Sequence, residues 1–247
     1  MASTNVLIDR VTVKGASDAG IYVGQSRDIT VRQNIVEYNV AGIEIENSRN
    51  ALVTENIATR NTGGLLVFDL PGLPVMNGGN VILRENVVSD NDTPNFAPEG
   101  NIGASVPVGA GVMIMANRNI HVFDNTISGN QTAGVMVVSY NQPFTDKNYN
   151  PLPRDIVVRD NRIGKNGWDP KFDGGSMIAK QLGGSLPPVL WDGIVRFEGL
   201  PDVAQVRFSD GPVLNLNLPA PGQVDKARPT IAKSVGDAKI AEPAAVV

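Results

Sequence analysis

Apolar and polar positions alternate along this chain in short bursts, and the bursts recur. GIYV, GIEI, GLLV, GVMI and GVMV form one set, and ITV, ALV, VIL, IHV and IVV a second. A third set surrounds Val36, Ala58, Val88, Ile127 and Ile163. The period is two, which is the signature of a strand with one buried face. Ile21, Val23, Ile43 and Ile45 then point inward, and Tyr22, Glu44 and Glu46 outward. Long amphipathic helical stretches are missing, so many short strands joined by turns are predicted.

The bursts belong to a repeat. A glycine opens each unit: Gly20, Gly42, Gly64, Gly111 and Gly134. Two asparagines five apart close it: Asn34/Asn39, Asn56/Asn61, Asn86/Asn91, Asn125/Asn130 and Asn161/Asn166. Six residues before each pair stands Asp28, Asn50, Asn80, Asn119 or Asp155. A single three-strand unit cannot bury its apolar face, whereas units stacked about 4.8 Å apart can. The expected fold class is therefore all-β: a single-stranded right-handed parallel β-helix with three short strands per coil. Coils of about 22 residues should number six to seven, with the asparagines stacked as ladders at the turns. The hand follows the general bias of parallel crossovers. A leucine-rich horseshoe is the rival, and its consensus and helix are absent.

At the N-terminus, residues 5–15 match only the later strands of a coil. Further coils are expected to precede them, a short polar cap being the alternative. After Asn166 the pattern weakens; LWDGIVRF is expected to begin a sixth coil and VAQVRFSDGPVLNLNL to add one or two strands. Residues 1–218 form the β-helix in this reading. Residues 219–247, rich in Pro, Ala and Lys, read as a disordered tail or linker.

The repeat is interrupted in four places. Insertions 69–79 and 141–154 lie between first and second strands, and 92–109 and 167–191 between third and first strands. Both kinds flank the first strand and would wall a basin around coil 4. Its floor would be the outward residues Leu66, Phe68, Met113, Met115, Met136 and Val138, an apolar strip. Either the insertions fold down over this strip as a satellite core, or they leave a pocket with polar rims.

Asp69, Asp90, Asp92, Glu99, Asn117, Arg118 and Tyr140 are the rim candidates. The substrate-binding set drawn from rim and floor is Asp69, Glu99, Met113, Met115, Asn117, Arg118, His121 and Tyr140. No recognised catalytic spacing joins them, and Asp and Asn also serve turns for local reasons. Carboxylates on neighbouring coils can bind Ca²⁺ or act as acid and base, but no cofactor is indicated. His121, the single histidine, is expected outward on the second strand of coil 4 as an exposed side chain. Arg32, Arg84 and Arg159 project from the second-strand face, either as a solvated surface or as contacts for an anionic polymer. Glu44 and Glu46 are expected on a solvated face.

Composition narrows the choice of partner. The net charge is −4, which argues against a nucleic-acid partner. With no cysteine, disulfides and thiolate metal sites are excluded. No apolar run reaches the roughly 18 residues of a membrane span, and MASTNVLIDR has no signal-peptide core.

The stretch Ser17–Tyr140 resembles a bacterial family of right-handed parallel β-helix repeat proteins, secreted or lipoprotein in type and of largely uncharacterised function. SDAGIYVGQS, NVAGIEIENS, NTGGLLVFDLPGLP, NDTPNFAPEGN, VMIMANRN and VVSY carry the resemblance. It implies an extracytoplasmic location, periplasmic or secreted, and supplies no catalytic residues. The wider pectate-lyase-like class includes pectate and alginate lyases, mannuronan epimerases and carbohydrate-binding modules, a likeness of fold alone. Three functions follow as expectations. One is a protein that binds or processes envelope polysaccharide around coil 4. The second is a non-catalytic scaffold that holds a partner envelope protein through the apolar strip. The third is a lyase or epimerase using Asp, Arg and His121.

Overall fold

In the computed structural model, which describes residues 2–201 and 203–244, the repeat winds into a parallel β-helix. Three sheets run its length. The first-strand sheet stacks Ala19–Gly24, Ala41–Glu46, Gly63–Phe68, Ala110–Met115, Ala133–Val138, Val189–Trp191 and Val213–Asn215. The second-strand sheet stacks Thr4–Asp9, Arg27–Arg32, Arg49–Thr54, Gly79–Arg84, Arg118–Phe123, Arg154–Arg159 and Val206–Phe208. The third-strand sheet runs from Thr12–Lys14 to Arg162–Ile163. Five coils, opening at Ala19, Ala41, Gly63, Ala110 and Ala133, carry all three strands, and partial coils lie on either side.

Register follows the repeat. Ile21, Ile43, Leu65, Val112, Val135, Val189 and Val213 stack in one inward row. Ile29, Ala51, Val81, Ile120, Ile156 and Val206 stack in another. These rows, with Val36, Ala58, Val88 and Ile127, form one continuous buried core. Burying each larger aliphatic side chain contributes roughly 1.5–3 kcal/mol. At the last coil Trp191 and Phe208 meet edge to face at 5.9 Å and fill the end of the bore.

Two asparagine ladders hold the turns. Asn34, Asn56, Asn86 and Asn125 each donate from Nδ2 to the next Oδ1 at 2.8–3.0 Å, the asparagine series ending on Asn161. Asn39, Asn61, Asn91 and Asn130 do the same at 2.8–3.1 Å, ending on Asn166. The opening glycine follows from this packing. A Cβ on Gly64 would lie 2.5 Å from the Gly111 carbonyl oxygen and 2.9 Å from Asn91 Nδ2.

The segment from residue 219, read from composition as disordered, is instead laid against the last coil. Thr230–Ala232 pairs antiparallel with Val213–Asn215, and Val235 exchanges hydrogen bonds with Phe208 at 2.8 and 3.1 Å. The physical reason is the open edge of the last coil. Its unpaired backbone groups and the apolar faces around Leu218 accept a strand that composition alone does not reveal.

Candidate functional site

The basin expected around coil 4 is filled. Leu66, Phe68, Met113 and Met136 are buried in a second apolar core, with Met115 and Val138 packed against it. All four insertions supply its cover: Leu70 and Leu73, Val106, Leu152, and Ala179 with Leu186. The apolar strip is therefore not presented to a ligand or to a partner protein. The strip is too apolar to stay wet, and each insertion carries aliphatic residues at the positions that reach it.

The rim candidates disperse accordingly. Asp69 is buried, accepts from the Gly78 N–H at 2.7 Å and from Asn117 Nδ2 at 3.2 Å, and braces the 69–79 insertion. Burial is the main cause that raises its pKa, to about 6. Asn117 is fully buried. Tyr140 joins Phe144 and Tyr149 in an aromatic cluster, and the Tyr149 hydroxyl donates to the Asp69 carbonyl at 2.8 Å. Glu99, Asp90 and Asp92 are exposed and line neither of the two hollows described below.

Glu44 and Glu46 depart from the solvated face expected of them, each being only 6% exposed. Burial, and then the Asp18 and Glu46 charges, push Glu44 up to about 8. Glu46 Oε1 accepts from the Tyr22 hydroxyl at 2.9 Å. His121 does face out of the coil, but the C-terminal segment covers it and leaves it 2% exposed. Burial lowers its pKa, the Arg159 charge adds to that, and the Glu242 carboxylate opposes it.

What remains open lies on the second-strand side. A groove of about 500 Å³ is walled by Arg49, Arg118 and Lys239, with Asn77, Asn80, Asn119 and Gln205 as its amides and Gly78, Gly79, Asp155, Ile240 and Ala241 completing it. A second hollow of about 530 Å³ adjoins it, and Arg27, Arg49 and Asn77 stand on its wall.

The repeat builds this groove directly. Arg27, Arg49, Gly79, Arg118 and Arg154 are register partners, so the first position of the second strand is an arginine row with one gap. The gap is steric, because a Cβ on Gly79 would lie 2.6 Å from the Arg118 carbonyl oxygen. The next position is a third ladder. Asn119 donates to Asn80, Asn80 to Asn50, and Asn50 to Asp28, at 3.0–3.1 Å. Its members Asp28, Asn50, Asn80, Asn119 and Asp155 all hold φ between 53 and 59°, a left-handed backbone that Asn and Asp tolerate best. Arg49 donates to the Asn77 and Met76 carbonyls at 2.9 and 2.8 Å, which fixes its guanidinium between the two hollows. Arg118 pairs with Asp155 at 2.9 Å yet stays 59% exposed.

Of the residues singled out from sequence, Arg118 lines the groove and His121 lies beside Asn119, its Nε2 3.2 Å from Asn119 Oδ1. Arg27, Arg49 and Lys239 were not expected. The signal for the first two was present: RD, RN, GN, RN and RD begin the five second strands, one residue ahead of the repeat's marked Asp or Asn. Chemically the groove offers guanidinium forks and amides, a donor set suited to carboxylates and hydroxyls. Asp155 is the one carboxylate on its wall. Among the described residues, no group of three or more His, Asp or Glu is placed to hold a metal ion. No helix there is long and apolar enough to cross a membrane.

Comparison with known proteins agrees with the architecture. The family described as "Right handed beta helix region" matches residues 1–69 and 68–181. Among solved structures, the A-module of the Azotobacter vinelandii mannuronan C-5 epimerase AlgE4 is similar at 18% identity with a TM-score of 0.39. The likeness covers 82% of this chain and 50% of that one, so the chain spans about half the length of that module. No curated protein matches the chain.

Proposed function

The chain belongs to the right-handed β-helix family, and on that scaffold we propose that it binds an acidic polysaccharide along the second-strand face. The observation that carries this reading is the open groove with Arg49 and Arg118 on its wall and a ladder of side-chain amides beside them. Arginine grips carboxylates bidentately, and amides pair with sugar hydroxyls. The amides recur coil by coil at about 4.8 Å and the two arginines stand two coils apart, a geometry that suits an extended polymer better than a compact ligand. The reading is of binding rather than chemistry. The groove's one carboxylate is held by Arg118, so no free acid and base face each other across it. An extracytoplasmic setting, where such polymers lie, is part of the same proposal.

Titration of the full chain with polymannuronate or polygalacturonate, against dextran as a neutral control, tests it. Arg118→Ala should weaken binding of the acidic polymer about tenfold or more, the usual worth of a hydrogen bond to a charged group. Arg49→Ala should act in the same direction. Equal affinity for dextran, or indifference to both substitutions, would sink the proposal.

A further inference from the structure

We infer that the C-terminal segment Lys239–Glu242 occupies, in place of an acidic sugar chain, a carboxylate subsite formed by Arg159, Phe123 and His121. This deepens the proposed function and rests on it. The segment leaves the last coil at Gly236, where φ is +73° and a Cβ would overlap the Val206 carbonyl oxygen. From there it runs without regular structure across the second-strand face. Lys239, Ile240 and Ala241 become one wall of the groove that Arg49 and Arg118 line opposite.

Its carboxylate end is bound as a ligand's would be. Glu242 Oε2 accepts from Arg159 Nη2 at 3.1 Å. Arg159 lies over the Phe123 ring, 4.3 Å from its centroid, so the guanidinium is stacked and presented edge-on. Beneath the strap His121 is sealed from solvent, and the Ala241 main chain lies against its ring.

The strap is held lightly. Glu242 ties the strap to the coil by its hydrogen bond from Arg159, the Ala241 main chain lies against His121, and the ion pair is half exposed. Such pairs are weak, so the strap holds its place through tethering, and a polymer carrying many carboxylates displaces it.

The test uses the full chain as wild type, Glu242→Gln and Gly236→Val, with polymannuronate as the probe. Glu242→Gln should bind about two- to fivefold more tightly than wild type, the worth of a surface ion pair. Gly236→Val, which removes the strap's pivot, should bind at least as tightly. In the wild type the polymer should speed amide exchange over residues 237–242. Unchanged affinity in both variants, or polymer that slows exchange there, overturns the strap inference. If Arg118→Ala still weakens binding in that event, only the strap inference fails. If neither wild type nor variants bind the polymer, both readings fail.

Discussion

Asn56 accepts from both the main-chain N–H and the side-chain Nδ2 of Asn34, at 3.0 and 2.9 Å. Its own Nδ2 faces Asn86 Oδ1 and the Val31 carbonyl. Replacing it by alanine strands both buried donors of Asn34 and takes the Nδ2 bond from the Val31 and Thr54 carbonyls, while Asn86 Oδ1 keeps the main-chain N–H. Asn56→Ala should cost about 1–3 kcal/mol in urea unfolding; a loss under a few tenths would show that the ladder only decorates the turn. The ladders end on acceptors, Asp210 for the first and Asp28 for the third, since a terminal member needs no onward donor. Glu44 carries the second prediction at this scale. Its folded pKa of about 8 lies above its ordinary 4.5, so between those values the native state holds a proton that the unfolded chain has released. Stability should therefore fall as pH rises from about 4.5 to about 8, by at most about 1.4 kcal/mol per unit. Asp18, Glu46 and Tyr22 face the same group. Glu44→Gln should flatten this slope in melts across pH 5–8, and an unchanged slope would refute the assignment. Nothing local in GIEI foretells this burial.

At the scale of elements, the four insertions matter as a set. Each carries aliphatic residues onto the outer face of the first-strand sheet, so the helix has one core inside its bore and another outside it. Met113→Ala should cost about 2–5 kcal/mol, as a truncation in a packed core does. Ile57→Ala, on the exposed outer third-strand face, should stay within about 0.5 kcal/mol. Equal small losses at both positions would mean that the insertions lie loosely. The insertions' boundaries were legible as breaks in the repeat, and so was the apolarity of the strip they meet. Whether they cover it depends on loop geometry, and no periodic signal records that. The arginine row was legible in principle, because register multiplies one position of the repeat into a row along the axis.

Over the whole molecule, arginines concentrate on one sheet, several of them paired with carboxylates beside them. The chain carries −4 net, yet arginines 27, 49, 118 and 154 share one row, and Arg32, Arg84 and Arg159 project from the same sheet. Attraction of an acidic polymer to that face should weaken with salt. The affinity tested above should fall between about 0.01 M and 0.15 M ionic strength, as the screening length shrinks from about 30 to 8 Å. The same molecule closes its last coil with its own C-terminal segment, which seals an edge and then crosses the second-strand face. Edge sealing and groove occupancy are thus one continuous stretch of chain.

The sequence by itself determined the coil, the inward rows, the ladders and the places where regularity breaks. Each is a short-range or periodic property: alternation sets the buried face, and a repeated residue in register must stack on its copies. Tertiary structure alone decided which outer faces stay open. The apolar strip vanished under the insertions, Glu44 and His121 lost their solvent, and the segment after 218 gained an edge to pair with. Those outcomes depend on where irregular chain comes to rest, and that is settled by contacts between residues far apart in the sequence.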